Sequence, residues 1–370
     1  MKIINISLLK LNDRHNYYGG AIGNIAYNLL KSLAEIGIDV VTFTEGLDLE
    51  KDPPENLKFL KVNNFKEMFK IVKELPLNDF SIVTHLYFHE PEYNPIAERI
   101  KKLPFVIGMC ELPHPRLSDE VKGILKFRLI REVGKRIITH RFKKTLKICD
   151  ELIVVNKGAK EYYSRFIDED KIKIAPYGVD LERFKYSPMP DEPKILMVSR
   201  LIKRRGVDNL VKALPMVLED CPDAELHFVG EGPRKLILRE IAKRLNVSDR
   251  VFFHGKVSPE KLVKIYKDCY VFCHLSFADG WNQPALEAMA TGRPVICTNA
   301  PHNSMVEDGK TGYLVPYNDV CTLAERLIYL LNDKKLAEKM GRKARRKVEI
   351  EHDWREIAKR YRKYFMEVLI

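Results

Sequence analysis

A loop, helix and strand signal between residues 276 and 299, S-F-A-D-G-W-N-Q-P-A-L-E-A-M-A-T-G-R-P-V-I-C-T-N, constrains this chain more than any other stretch. Pro284 suits the first turn of a helix, Glu287 follows one turn in, and Gly292 ends the segment. Arg293 and Pro294 then lead into the apolar run Val295 to Thr298, so the helix feeds a buried strand, as in an open α/β sheet. Two carboxylates, Asp279 and Glu287, are thereby gathered near a helix N-terminus. Sheets of this kind bind ligands at such loop and helix ends.

The same alternation recurs along the chain. In the first half, a strand at 3–9 is followed by the Tyr18-Gly19-Gly20 loop, a helix with apolar spacing at Ile25, Leu29, Leu30 and Leu33, and a strand at 39–44. Apolar runs at 81–88, 104–109 and 151–155 continue a doubly wound pattern. K-I-L-M-V-S at 194–199 restarts it, followed by a helix near 206–218, A-E-L-H-F-V-G-E-G-P at 224–233, and strands expected at 250–254, 269–274, 294–298 and 312–315. Between the halves, Y-S-P-M-P-D-E-P at 186–193 carries three prolines and reads as a linker. A length of 370 residues fits two domains of roughly 180 each.

With 45% hydrophobic and 31% charged residues the chain is globular, and no run approaches the roughly 18 apolar residues that span a bilayer. The opening M-K-I-I-N-I-S-L-L-K is too short and interrupted for a signal peptide and reads as a strand, so a cytoplasmic protein is expected. Seven cysteines, scattered and odd in number, read as reduced thiols rather than as a disulfide or zinc framework, and no metal-ligand cluster is visible. A net charge of +12 calls for an anionic partner, such as a nucleoside diphosphate, an acidic lipid headgroup or nucleic acid. Against nucleic acid stands the lack of a recognisable binding module and of interleaved stacking aromatics.

The 276–299 stretch resembles the signature of family 4 retaining glycosyltransferases (glycosyl transferases group 1), in which two Glu flank seven residues ahead of Ala-Met-Ala-x-Gly-x-Pro-Val-Ile. Here Glu287 is the second carboxylate, Asp279 replaces the first, and Asn282 stands where the family has Gly. The resemblance implies a GT-B fold, two Rossmann-like doubly wound domains facing across a cleft. An acceptor domain would span 1–185, a donor domain 186–354, and a C-terminal helix at about 355–370 would cross back onto the first. In the family the second Glu holds the donor ribose and the first lies near the transferred sugar and diphosphate. Asp279 would thus orient the sugar. V-S-R-L-I-K-R-R-G-V-D at 198–208 resembles the segment whose Arg and Lys clamp the diphosphate, which maps to Arg200 and Arg205, with Lys203 and Arg204 as alternatives. Asn282 and Gln283, at the helix N-terminus, would support the leaving phosphates.

Lys256 and Val257 occupy the family's base-holding position. F-V-G-E-G-P at 228–233 reads equally as a tight turn or a ligand loop. Gly19 and Gly20 read either as a bare turn or, by resemblance, as a phosphate or acceptor loop. At the end of the 105–110 strand the family places a His against the sugar; Cys110 falls there, with Glu111 beside it and His114 following, and His85 and His89 are alternatives. Glu111, His114 and Asp279 are the catalytic candidates. Residues 122–147 hold ten Lys or Arg against one Glu with helical apolar stripes, either a core helix with a solvated basic face or a surface lying on the anionic inner face of a membrane. The implied enzyme is a retaining hexosyltransferase, working without metal or cofactor. It would use a UDP- or GDP-sugar as donor and a glycan or glycolipid as acceptor. A sugar-nucleotide epimerase or hydrolase is the rival.

Overall fold

The computed structural model describes residues 1–10, 21–45, 53–63, 65–76, 79–86, 104–110, 146–277 and 279–370. Gly19, Gly20, His89, Glu111, His114 and residues 122–145 lie outside them, and of His85 and Cys110 only the backbone position is described. The chain divides into two compact units: residues up to Tyr177 together with Trp354–Ile370, and Gly178–Asp353.

In the first unit the elements run β1 (Lys2–Lys10), α1 (Ala21–Glu35), β2 (Asp39–Glu45), β3 (Leu57–Lys61), α2 (Phe65–Glu74), β4 (Ile82–Leu86), β5 (Phe105–Cys110), β6 (Glu151–Val154), α3 (Lys157–Tyr163) and β7 (Ile172–Ile174). The strands pair in parallel in the order β3-β2-β1-β4-β5-β6-β7. The two edge strands, β3 and β7, escape a sequence reading. L-K-F-L-K and I-K-I are short and broken by lysine, whereas central strands such as β6, buried at every position, form continuous apolar runs.

The second unit continues with β8 (Lys194–Val198), α4 (Val207–Asp220), β9 (Glu225–Val229), α5 (Lys235–Arg244), β10 (Val251–Gly255), α6 (Pro259–Asp268), β11 (Val271–His274), α7 (Gln283–Ala290), β12 (Val295–Thr298), β13 (Gly312–Val315), α8 (Val320–Asn332) and α9 (Lys334–Glu351). Its sheet order is β10-β9-β8-β11-β12-β13, again parallel. From β8 the chain moves outward to β9 and β10, then returns to the other side of β8 with β11. The crevice at the carboxyl ends of β8 and β11 is therefore the topological switch point, where open α/β sheets take their ligands. The last helix, α10 (Trp354–Val368), belongs to the first unit. It packs along α1, burying Trp354, Ile357, Ala358, Tyr361 and Phe365 at helical spacing.

The proline-rich segment at 186–193 is not where the units part. Its start is bound into the second unit by the fully buried Arg293, whose guanidinium donates to the carbonyls of Ser187 at 2.7 Å and Pro188 at 2.8 Å and to the Ser187 hydroxyl. Proline content marks a stretch that cannot pair in a sheet, but long-range hydrogen bonds decide to which unit it belongs. Nearby, Gly341 lets α9 cross the end of α7, because a Cβ there would overlap the Gly292 carbonyl oxygen. Gly341→Ala improves intrinsic helix propensity by about 1 kcal/mol. It is nonetheless expected to destabilise the protein by about 1–3 kcal/mol through overpacking, read as a lower urea midpoint. An unchanged or raised midpoint would show that this crossing is not close-packed.

Candidate active site

At the carboxyl end of β8 the chain leaves the sheet through Ser199, Arg200 and Leu201. It makes one tight turn at Lys203–Arg205 and enters α4 from Gly206. Gly206 has φ +69°, and a Cβ there would overlap the Leu275 carbonyl, so only glycine lets this turn lie directly against the exit loop of β11. That contact carries the site. The Phe277 N–H donates to the Arg204 carbonyl at 2.9 Å, which locks the two loops in register.

Arg205 and Asp279 meet between these loops. One guanidinium nitrogen, Nη1, donates to Asp279 Oδ2 and stands 2.9 Å from His274 Nε2, while Arg204 Nη1 approaches Asp279 Oδ1 at 3.6 Å. His274, the last residue of β11, has no exposed surface, and its Nε2 lies 3.4 Å from Asp279 Oδ2. Burial alone would raise the Asp279 carboxyl, but the Arg205 guanidinium, helped by His274 and His302, outweighs it and holds the group below the ordinary carboxylate range. Burial pushes His274 down to about 3, so the ring is neutral at physiological pH, and Nε2 accepts from Arg205. The arrangement keeps an ionised carboxylate and a guanidinium together inside the protein. Arg205 Nε is also buried and has no partner among the described residues.

His274, Asp279 and His302 place one ligand atom each within 4.8 Å of one another, a spacing compatible with a cation. Arg205 Nη1 already contacts both Asp279, at Oδ2, and His274, at Nε2.

The remaining predicted residues divide into two groups. Glu287 sits one turn into α7, 1% exposed, its carboxylate accepting from the Tyr266 hydroxyl of α6 at 2.8 Å. Asn282 caps α7, its Oδ1 accepting the Ala285 N–H at 3.1 Å and its Nδ2 donating to Asn303 Oδ1 at 2.6 Å. A φ of −104° at Asn282 needs no glycine, and the cap explains why Asn is accommodated here. Gln283 directs its amide to the Gly178 carbonyl at 3.1 Å. Asn282 is thus engaged within the protein, whereas the buried Gln283 Oε1 has no partner among the described residues. Arg200 is exposed at the end of β8. Lys256, also exposed, and the buried Val257 follow β10, whose Gly255 carbonyl accepts the Gly230 N–H at 2.8 Å. The 230–232 turn is itself bonded to the β8 exit, Leu201 N–H donating to the Glu231 carbonyl at 3.0 Å, so its glycines have a structural duty.

Sequence reading missed His274 and His302. The one signal for His274 was a lone histidine closing the apolar V-F-C-H strand just ahead of the 276–299 stretch. His302 follows β12 in a short helical turn with nothing in its neighbours to mark it. Cys149, Cys221, Cys269, Cys273 and Cys297 are buried free thiols and Cys321 an exposed one, as expected of reduced cysteines. No helix among the described residues is long and apolar enough to cross a membrane.

The two parallel doubly wound units, together with the likeness to solved structures, place the chain in the GT-B fold class. Residues 179–347, nearly the whole second unit, match the family described as glycosyl transferases group 1. The chain is 26% identical over 371 residues, 95% of its own length and 94% of the other's, to the N-acetyl-alpha-D-glucosaminyl L-malate synthase of Bacillus anthracis. It is 32% identical over 218 residues to the GDP-mannose-dependent alpha-(1-6)-phosphatidylinositol monomannoside mannosyltransferase of Mycobacterium tuberculosis, a stretch covering 53% of this chain and 56% of that enzyme. The fold is shared with Anabaena HepE, solved in complex with UDP, at a TM-score of 0.72 and 16% identity over 99% of this chain and 100% of that one.

Because His274 takes up a proton only near pH 3 in the folded state and at about 6.5 when unfolded, stability is complete above pH 6.5 and falls as the pH drops toward 3. The contribution approaches about 1.4 kcal/mol per pH unit. His274→Gln is expected to flatten the loss of urea stability between pH 7 and 5, while His227 and His254, which burial also lowers, keep some slope in both proteins. Parallel slopes for the variant and the parent would show that His274 is not held neutral.

Proposed function

We propose that this protein is a retaining hexosyltransferase that moves a sugar from a UDP- or GDP-sugar to a glycan or glycolipid acceptor. The observation that carries the reading is the Arg205 guanidinium, held at the switch point against Asp279 with a buried N–H unsatisfied, next to the exposed Arg200. A diphosphate leaving group needs cationic donors that act as its negative charge grows, and preorganised guanidinium groups with the N-terminus of α7 supply them without solvent reorganisation. Arg205 and Arg204 would bring that charge from one side and Arg200 from another. Asp279, kept ionised, would orient the transferred sugar and oppose the positive charge developing at its anomeric carbon. Glu287 would hold the ribose hydroxyls, its geometry set by Tyr266.

No side chain at this site is placed as a nucleophile in the reading, since the acceptor would attack from the face the diphosphate leaves. Cationic side chains take the part a metal plays in other transferases, and the nucleotide sugar is a co-substrate rather than a cofactor. The names of the similar proteins support both a sugar-nucleotide donor and an acceptor carrying a lipid or small-molecule hydroxyl. A cytoplasmic location with peripheral contact to an anionic membrane through residues 122–147 rests on the composition of that stretch.

A thermal-shift screen against UDP, GDP, ADP and their sugar conjugates is expected to raise the melting temperature with one base series and not the others. Product analysis with the responding conjugate should then show a new glycosidic bond; free sugar or an epimerised nucleotide would overturn the transferase reading. Arg200→Ala and Glu287→Gln, the latter retaining an acceptor for Tyr266, are each expected to weaken binding of that nucleotide sugar by roughly 10- to 100-fold while leaving the unliganded melting temperature near the parent value. Near-parental affinity in either variant removes that residue from the donor site.

A further inference from the structure

The carboxyl edge of the second sheet carries a feature that the diphosphate chemistry does not use. Phe277, two residues before Asp279, is 62% exposed, although its backbone is hydrogen-bonded. Its N–H is bonded to the Arg204 carbonyl at 2.9 Å, the preceding Ser276 carbonyl accepts from the Thr298 hydroxyl at 2.6 Å, and Asp279 is held by Arg205. The exposed ring thus rises from a backbone bonded at Ser276 and Phe277. Beside it stands Tyr317, just beyond β13, with ring centroids 5.0 Å apart and planes inclined at 53°. The Tyr317 turn is fixed in its own right: Asn318 adopts φ +64°, and its Oδ1 accepts from Asn209 Nδ2 of α4 at 3.0 Å. Two separately anchored loops thus bring an aromatic pair together over the end of β12, on the sheet edge that holds Arg204, Arg205 and Asp279.

An exposed aromatic ring on a rigid loop loses free energy to water that a flat apolar partner would recover. Other exposed apolar side chains, such as Leu236 and Ile350, stand on the helices α5 and α9. Phe277 differs in being tied to the very loop that presents Asp279. A pyranose matches such a surface: one face is a patch of C–H groups that lies on an aromatic ring, while the ring's rim of hydroxyls is suited to neighbouring charged groups such as Asp279 and Arg204. A bare phosphate or a metal ion has no use for the aromatic face.

We propose that Phe277, supported by Tyr317, is a stacking subsite for a pyranose ring, and so a determinant of sugar specificity in the reaction assigned above. The inference rests on that transferase reading for its substrates, and the ring belongs either to the transferred sugar of the donor or to a sugar of the acceptor. The intact protein, Phe277→Ala and Phe277→Trp are to be compared by calorimetric titration with UDP, UDP-glucose, GDP and GDP-mannose. Saturation transfer to methyl α-D-glucopyranoside and methyl α-D-mannopyranoside, in the presence of the nucleoside diphosphate that binds, completes the set. If the donor's sugar stacks, Phe277→Ala weakens the nucleotide sugar by roughly tenfold, leaves the nucleoside diphosphate unchanged, and Phe277→Trp restores the difference. If the acceptor's sugar stacks, nucleotide-sugar affinity holds while saturation of the free pyranoside is lost in Phe277→Ala and regained in Phe277→Trp. Unchanged values in both arms overturn the proposal, as does an equal loss for nucleoside diphosphate and nucleotide sugar, which would make the ring a contact for the nucleotide. A parent protein that binds none of the nucleotides would defeat the transferase reading itself, and the pyranoside measurement, made without nucleotide, would still decide the subsite.

Discussion

A guanidinium shared between a buried carboxylate and a buried neutral histidine is the interaction on which the second unit's chemistry depends. Arg205 cannot shed its charge, and burying it without Asp279 would cost several kcal/mol. Asp279 in turn stays ionised because Arg205 is there. His274 completes the pair as an acceptor, and burial keeps it from adding a competing positive charge. The result is a fixed dipole at the switch point of a parallel sheet, oriented before any ligand arrives. Preorganisation of this kind is what stabilises a leaving diphosphate most effectively.

Everything around the pair serves to bring two loops close enough to make it. Gly206 removes the Cβ that would separate the β8 exit from the β11 exit, and the Arg204–Phe277 backbone bond sets their register. Behind them, Asn282 caps α7 and reaches Asn303, while Asn303 donates to the Thr298 carbonyl at 2.8 Å, so the exits of β11 and β12 form one hydrogen-bonded unit. At its far end α7 is held by Arg345, which donates to the Ala290 carbonyl at 2.7 Å, and by the crossing of α9 at Gly341. The helix bearing Glu287 therefore has both ends fastened. Its carboxylate position follows from that and from Tyr266.

Much of this was readable in advance. The central strands of both sheets carry short apolar runs, such as I-L-M-V in β8 and L-I-V in β6, which is why the doubly wound pattern was legible, as was the amphipathic α10. The edge strands β3 and β7 were not, because a half-solvated edge tolerates lysine at alternate positions and so loses the apolar run that marks a strand. The parting of the units was misjudged for a related reason: prolines at 186–193 announce irregular backbone, but Arg293, more than a hundred residues later, binds that backbone into the second unit. In the site, Arg205, Asp279 and Glu287 carried local motif signals, whereas His302 carried none, since its relevance comes only from the loop that places it beside His274 at a ring-centroid distance of 6.1 Å.

The sequence by itself determined the class of fold and which charged residues sit in motif positions, because hydrophobic period, turn formers and motif spacing are local properties that survive without knowledge of the partners. What only the tertiary structure decided is how those charges are used. It set Arg205 against Asp279 and His274, gave Asn282 and Gln283 structural partners, and left Phe277 bare beside Tyr317. Each of these depends on two segments far apart in the chain arriving at the same few ångströms, and burial, ionisation and exposure are fixed by that encounter rather than by the residues adjacent in sequence.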